Sequence, residues 1–250
     1  MTGASSGIGE AIAHKLGKAG VGMVLVARRK DRLDTIAAKY PNVEVIAADL
    51  TTDSGLNAVL QRLADTARTP IDLVVNNAGF GTSGSFSDAD PQRLSNEISL
   101  NVNALTRIAH EAVRQMQPRG RGFLLNVSSI ASFQPGPGLA VYAATKAFVT
   151  SLSEAMHEEL RGSGIRVTAL CPGLTHTEFQ SISNTSGLES KFPEFAWMSA
   201  EDVARDGLRA VADGKAICIP GLVNKSLATV STFTPRGLAR RISGLATRLR

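Results

Sequence analysis

The chain opens Met1-Thr2-Gly3-Ala4-Ser5-Ser6-Gly7-Ile8-Gly9, a glycine-rich turn that runs directly into a helical pattern over 10–19. Gly3 suits the tight turn, and Gly7 and Gly9 let backbone approach a diphosphate and let the helix lie close to a sheet. The start of such a helix offers unpaired N–H groups and the positive end of a dipole to phosphates, with Ser5, Ser6 and Ile8 in the same turn. Downstream, short apolar runs alternate with helical patterns. Strands are expected over 21–27, 43–48, 71–76, 122–128, 165–171 and 216–219, and helices over 30–40, 53–67, 91–117, 142–163 and 199–213. The last of these starts from a Ser-x-x-Asp cap at Ser199 and Asp202. This alternation predicts an α/β fold, a doubly wound parallel sheet with helices on both faces.

A second segment carries chemistry. Tyr142 and Lys146 stand four apart in a helical pattern, on one face, so the ammonium can sit beside the phenol. A free tyrosine titrates near roughly pH 10, and a neighbouring cation lowers that value toward the range where a proton donor or acceptor works best. Ser129 lies thirteen residues upstream, just past a strand.

With 250 residues, 43% of them apolar, the chain can enclose one large core. Cys171 and Cys218 have no metal-ligand or disulfide spacing, and His14, His110, His157 and His176 are scattered, so no metal is expected. No apolar run is long enough to span a membrane and no signal peptide is evident, which makes a cytoplasmic setting the expectation. Residues 221–250 hold six basic and no acidic side chains; set against the net charge of +5, they leave the rest of the chain at −1. This tail has one aromatic, Phe233, which argues against nucleic acid as a partner. Residues 175–198 lack periodicity and are expected to form a substrate lid.

The glycine turn, Asn76-Asn77-Ala78-Gly79, Asn101, Ser129, Tyr142 and Lys146 occur in that order. In this set the chain resembles the short-chain dehydrogenase/reductase family along nearly its whole length. The resemblance implies a Rossmann-like fold and a nicotinamide cofactor. It gives Ser129 a hydrogen bond to the substrate oxygen beside Tyr142, and Asn101 a water linking Lys146 to solvent. It gives Lys146 a second role at the nicotinamide ribose, and sets Asn77, Ala78 and Gly79 along the adenosine. Asp49, with Leu50 beside it, would read the adenine, and the turn from Pro172 and Gly173 to Thr175 and Thr177 would hold the carboxamide. A strand-end hydroxyl can instead satisfy local backbone, a role that suits Ser128 better, and the thirteen-residue gap to Tyr142 selects Ser129; Asn103 could replace Asn101, and Asp49 could be a helix cap.

The strand over 21–27 runs into Ala27-Arg28-Arg29-Lys30 with no acid before Asp31. A carboxylate there would read a ribose 2′-hydroxyl, whereas Arg28 can pair bidentately with a 2′-phosphate, so NADP(H) is expected. The resulting expectation is a carbonyl reductase moving hydride between NADPH and a small-molecule carbonyl or alcohol. Phe133, Leu139, Phe179, Phe192, Phe195, Trp197 and Met198 suggest an apolar pocket. Two other readings are a non-catalytic NADP-binding regulator and a membrane-surface protein. The latter would act through Leu238, Ile242, Leu245 and Leu249 with Arg240, Arg241 and Arg248.

Two expectations concern assembly. Helices 91–117 and 142–163 carry surplus apolar positions, including Phe148, and predict a homodimer or homotetramer. The resembling family also has an apolar strand before the glycine turn, in mid-sheet, and here it is apparently missing. The gap would leave two inner edges unpaired, and the expectation is a native product with more apolar residues ahead of Met1.

Overall fold

The computed structural model describes residues 1–184, 193–234, 237–238 and 240–241. The expected strands appear as β1 (Met23–Ala27), β2 (Val43–Ala47), β3 (Leu73–Asn76), β4 (Gly122–Val127), β5 (Ile165–Leu170) and β6 (Ile217–Cys218). All pair in parallel, β1 with β2, and β3, β4, β5 and β6 in that order. Between them run α1 (Gly7–Lys18), α2 (Lys30–Ala37), α3 (Asp53–Ala64), α4 (Pro91–Ile98), α5 (Leu105–Met116), α6 (Ala140–Glu159), α7 (Phe179–Ile182), α8 (Ala200–Ala212) and α9 (Leu222–Phe233).

Successive strand residues point to opposite faces, and both faces are covered. Val74, Leu124 and Val167 face Leu56 of α3 and Ile108 and Met116 of α5. Val75, Leu125 and Leu170 face Ile12 of α1 and Val203 of α8. Burial on both sides explains why these strands read as continuous Val/Leu runs. The sequence boundaries for α2 and α3 run a turn too long, and α6 starts two residues ahead of its expected start. Ser199 caps α8 as expected, accepting from Asp202 N at 3.1 Å.

The expected single helix over 91–117 is instead three pieces. Asp90 caps α4, a π-helical turn spans Ser99–Ala104, and α5 continues. The interruption surrounds Asn101, whose buried Nδ2 donates to Phe80 O at 2.8 Å and to Thr145 Oγ1 at 3.1 Å. Its Oδ1 accepts from Phe80 N at 3.2 Å, so the side chain completes backbone groups of a loop. Such single-turn bulges often mark functional sites.

Only Met1 and Thr2 stand between β1 and β3: Val26 N donates to Met1 O at 2.9 Å and Thr2 N to Val75 O at 3.0 Å. The Met1 amine donates to Val24 O at 2.8 Å, and burial pushes its pKa down to about 5. Beyond it, a void of about 840 Å³ lined by Val24, Ile46, Leu63, Leu73 and Ile108 separates the two edges.

The segment expected to form a substrate lid is described over 175–184 and 193–198, where Thr175 bridges to Met198. Phe192, Ile242, Leu245, Arg248 and Leu249 lie outside the described residues. Among the described residues, no helix is long and apolar enough to cross a membrane and no three ligating side chains cluster for a metal.

Candidate active site

The carboxyl ends of β1, β3, β4 and β5 open onto one cleft of about 550 Å³, at the position where ligands bind in parallel α/β sheets. It runs from Arg28 and Asp49 at one end to Tyr142 and Phe179 at the other. Gly3, Ser5, Ser6, Gly7 and Ile8 form its floor. Gly3 and Gly7 both have left-handed φ, +65° and +58°, and a Cβ on Gly3 would lie 2.6 Å from Asn77 Nδ2. Ser6 precedes α1 without a side-chain cap, so the first N–H groups of the helix face the cleft. Gly9 lies behind this floor, where a Cβ would collide with Gly3 O.

Asn77 braces the turn, donating to Thr2 O and Gly3 O, both at 3.1 Å, while its N–H and that of Ala78 reach Thr2 Oγ1 at 3.0 Å. Asn76 braces the sheet instead, donating to Asn126 Oδ1 at 3.0 Å. Ala78 and Gly79 line the cleft, and a Cβ on Gly79 would lie 2.9 Å from Asn101 Oδ1 and 3.4 Å from Lys146 Nζ. Asn101 therefore sits beneath Gly79 and close to Lys146, off the cleft surface. Asn103 is exposed.

At the far end, α6 carries Tyr142 and Lys146 into the cleft. Tyr142 stands beside Ser129, whose hydroxyl acts to lower the phenol pKa, and packs its ring 5.3 Å from that of Phe179. Lys146 Nζ donates to Val127 O at 2.8 Å and lies 5.7 Å from the Tyr142 ring centre. Ser128 is committed elsewhere, to Lys146 O at 2.8 Å and Thr150 at 2.7 Å, which leaves Ser129 as the hydroxyl at the tyrosine.

The titration runs opposite to the expected lowering of Tyr142. Burial pushes the phenol up to about 12, against the smaller lowering effect of the Ser129 hydrogen bond. Burial likewise brings the Lys146 ammonium down to about 8. The spacing on α6 brought the pair together, but Lys146 is directed to a backbone carbonyl rather than to the phenol oxygen, and desolvation dominates.

The turn after β5 forms the opposite wall. Pro172 and Gly173 line it, and a Cβ on Gly173 would overlap Asn224 of α9. Thr175 Oγ1 donates to Gly173 O at 3.1 Å. Thr177 faces the glycine turn, its Cγ2 3.0 Å from where a Cβ on Gly7 would stand. Leu139 and Phe179 line the cleft. Trp197 is buried in a stack with His176 at 4.9 Å, and Phe195 is exposed, so neither joins the apolar wall.

At the β1 end, Arg28 is exposed at the rim. Burial would raise the Asp49 carboxyl, yet the Thr51 amide and hydroxyl at 2.9 and 2.7 Å, with Arg28 nearby, hold it below its ordinary value. Thr52, not Asp49, caps α3. Leu50 is buried beside it and lines the cleft.

Four charged residues in and around the site carry no clear mark in the sequence. Arg29 donates to Ser5 Oγ at 3.2 Å and pairs with Glu178 at 2.8 Å, and Arg32 pairs with the other Glu178 oxygen at 2.6 Å. Glu178 thus pairs with both guanidiniums, Arg29 of which also reaches the glycine turn. The signal for Arg29 was its place in the Arg28-Arg29-Lys30 run. Glu178 has none, because only tertiary folding brings it near. Glu97 on α4 is fully buried, and burial raises its carboxyl.

A glycine turn with open helix N–H groups and the Arg28 cation at the cleft rim fit a nicotinamide dinucleotide. The comparisons agree. The family model for short chain dehydrogenase matches residues 1–186. An uncharacterized oxidoreductase of Staphylococcus epidermidis is 34% identical over 178 residues, 71% of this chain and 77% of its own. The short-chain dehydrogenase from Sphingobium yanoikuyae, solved in complex with NADPH, superposes with a TM-score of 0.82 at 34% identity, covering 94% of this chain and 95% of that one. The bulky-bulky ketone specific alcohol dehydrogenase from Comamonas testosteroni gives 0.78 at 31%, covering 94% of each. The chain, folded around this cleft, belongs to the short-chain dehydrogenase/reductase family and is an NAD(P)-dependent oxidoreductase.

Proposed function

We propose that the protein is an NADPH-dependent carbonyl reductase for an apolar ketone or aldehyde, with Ser129, Tyr142, Lys146 and Asn101 as its working groups. The observation that carries this reading is that Ser129, Tyr142 and Lys146 line one cleft together, with Arg28 at its other end. When bound, the nicotinamide supplies or accepts the hydride. The chain's own residues handle the proton and the geometry. Ser129 and Tyr142 donate hydrogen bonds to the substrate oxygen, and Tyr142 gives up its proton as that oxygen becomes an alcohol. A phenol pushed to about 12 stays protonated at neutral pH, which suits a donor in the reductive direction. Lys146 holds positive charge beneath the tyrosine, and Asn101 steadies the loop at Gly79 through Phe80.

The glycine turn and the α1 N-terminus would hold the diphosphate, and Asp49, Leu50, Ala78 and Gly79 the adenosine. Asn77 acts through the turn it braces. Pro172, Gly173, Thr175 and Thr177 would hold the carboxamide. Arg28 at the rim favours a 2′-phosphate, since it is a cation where a ribose-reading carboxylate would otherwise stand, and Arg29 beside Ser5 would join it on release from Glu178. Leu139 and Phe179 give the substrate end an apolar wall, and the ketone named for the Comamonas testosteroni enzyme points the same way. The test is a screen of aliphatic, aromatic and acyl ketones with NADPH and NADH in parallel. Turnover of apolar ketones with NADPH is expected, and turnover with NADH alone would contradict the cofactor assignment.

A further inference from the structure

We propose that the outer face of α9 docks on an anionic lipid bilayer, holding the cleft mouth at a surface where apolar carbonyl compounds accumulate. The consequence for substrate supply rests on the proposed function; the docking itself does not.

The inner side of α9 is fastened to both walls of the cleft. Asn224, buried, donates to Pro220 O at 3.0 Å and Met198 Sδ at 3.5 Å, and lies against Gly173. Ser231 Oγ donates to Phe133 O at 3.2 Å, in the turn that begins after Ser129. The outer side is apolar where an ordinary surface helix is charged. Val223, Leu227 and Val230 recur four and three residues apart and share a face, at 42%, 58% and 66% exposure, with Leu222 at 84% beside them. Leu238 follows, exposed, next to exposed Arg240 and Arg241, and Lys225 is exposed on α9 itself.

Charge selects the occupant. The six basic and zero acidic side chains of 221–250 would set like against like in a second copy of this chain. An anionic bilayer accepts both halves of the surface, the aliphatic side chains entering the headgroup boundary and the cations meeting lipid charge. The aliphatic character of the face suits that boundary and offers nothing to read a nucleic acid.

Flotation of the full chain with vesicles tests this. Co-flotation is expected with phosphatidylcholine vesicles containing phosphatidylglycerol, and not with phosphatidylcholine alone; added salt should weaken it. Leu227→Glu with Val230→Glu should abolish it, and Lys225→Ala with Arg240→Ala and Arg241→Ala should weaken it severalfold. Both sets should retain wild-type melting and wild-type turnover of a water-soluble ketone. Should the glutamate pair fail to fold, Leu227→Gln alone should still lower binding. No co-flotation, equal flotation with neutral vesicles, or full binding by folded variants would overturn the proposal. So would a change of oligomeric state in the glutamate pair, which would make this face a subunit contact. Failure of the ketone screen with docking intact would overturn the enzymatic reading alone.

Discussion

Burial sets the protonation of both groups on α6 in the direction a reductase needs. Tyr142 titrates at about 12 and Lys146 at about 8, so at neutral pH the phenol keeps its proton and the ammonium its charge. Lys146 is a base with a lowered value, so its charge is full below that value and lost as pH rises through it. Ketone reduction is therefore expected to hold level up to about pH 8 and fall above it, while alcohol oxidation, which needs the phenolate, climbs with pH. Initial rates in both directions across that range check this, and Lys146→Arg, if active, should remove the alkaline fall. At the other end of the cleft, Arg28→Asp and Arg29→Ala should each weaken NADPH binding by about tenfold to a hundredfold, the loss of a charge-assisted hydrogen bond. NADH binding should stay unchanged or improve, and isothermal titration with both cofactors measures it. Most of these residues were legible because the spacing of Tyr142 and Lys146 and the acid-free end of β1 have local physical meaning. Arg29, Glu178 and Glu97 were not, because a partner over a hundred residues away or burial inside a helix face leaves no local mark. The depth of burial was equally invisible, which is why the expected lowering of Tyr142 reversed.

At the scale of elements, periodicity located every strand and the helices that cover the sheet, since a sheet covered on both faces demands uninterrupted apolar runs, but it missed α7 and α9, which lie outside that sheet. It did not show the π-helical turn inside 91–117, because apolar spacing continues through it and only the contact of Asn101 with Phe80 distinguishes that turn. Between β1 and β3 lies a void of about 840 Å³. Strand alternation aims groups of β1 and β3 into that void, Val24 N among them, since Met23 N is taken by Asn42 O on the β2 side. An extension of apolar β-branched residues placed ahead of Met1 should pair with both edges and fill the void. Its melting temperature should rise by about 5 °C or more, roughly 1–2 kcal/mol at this size. A Gly/Ser extension of equal length should change little. Equal melting of the two extended chains would mean the void closes another way.

For the molecule as a whole, Ile98 at the end of α4 and Phe148 on α6 are exposed apolar side chains on the helices expected to carry subunit contacts. We propose a dimer through these helices, separate from the face of α9. Light scattering at micromolar concentration should report a dimer or larger, and Phe148→Asp should shift it toward monomer; a monomeric wild type would contradict the proposal. The measurement that tests the central claim most directly compares wild type with Tyr142→Phe, which removes one hydroxyl from a buried site. NADPH-dependent reduction of an apolar ketone and NADPH affinity are read on the same samples. Turnover should fall by about 10²–10⁴-fold, the typical contribution of a positioned proton donor, while affinity stays within about twofold. A Tyr142→Phe enzyme that keeps most of its turnover would contradict the account.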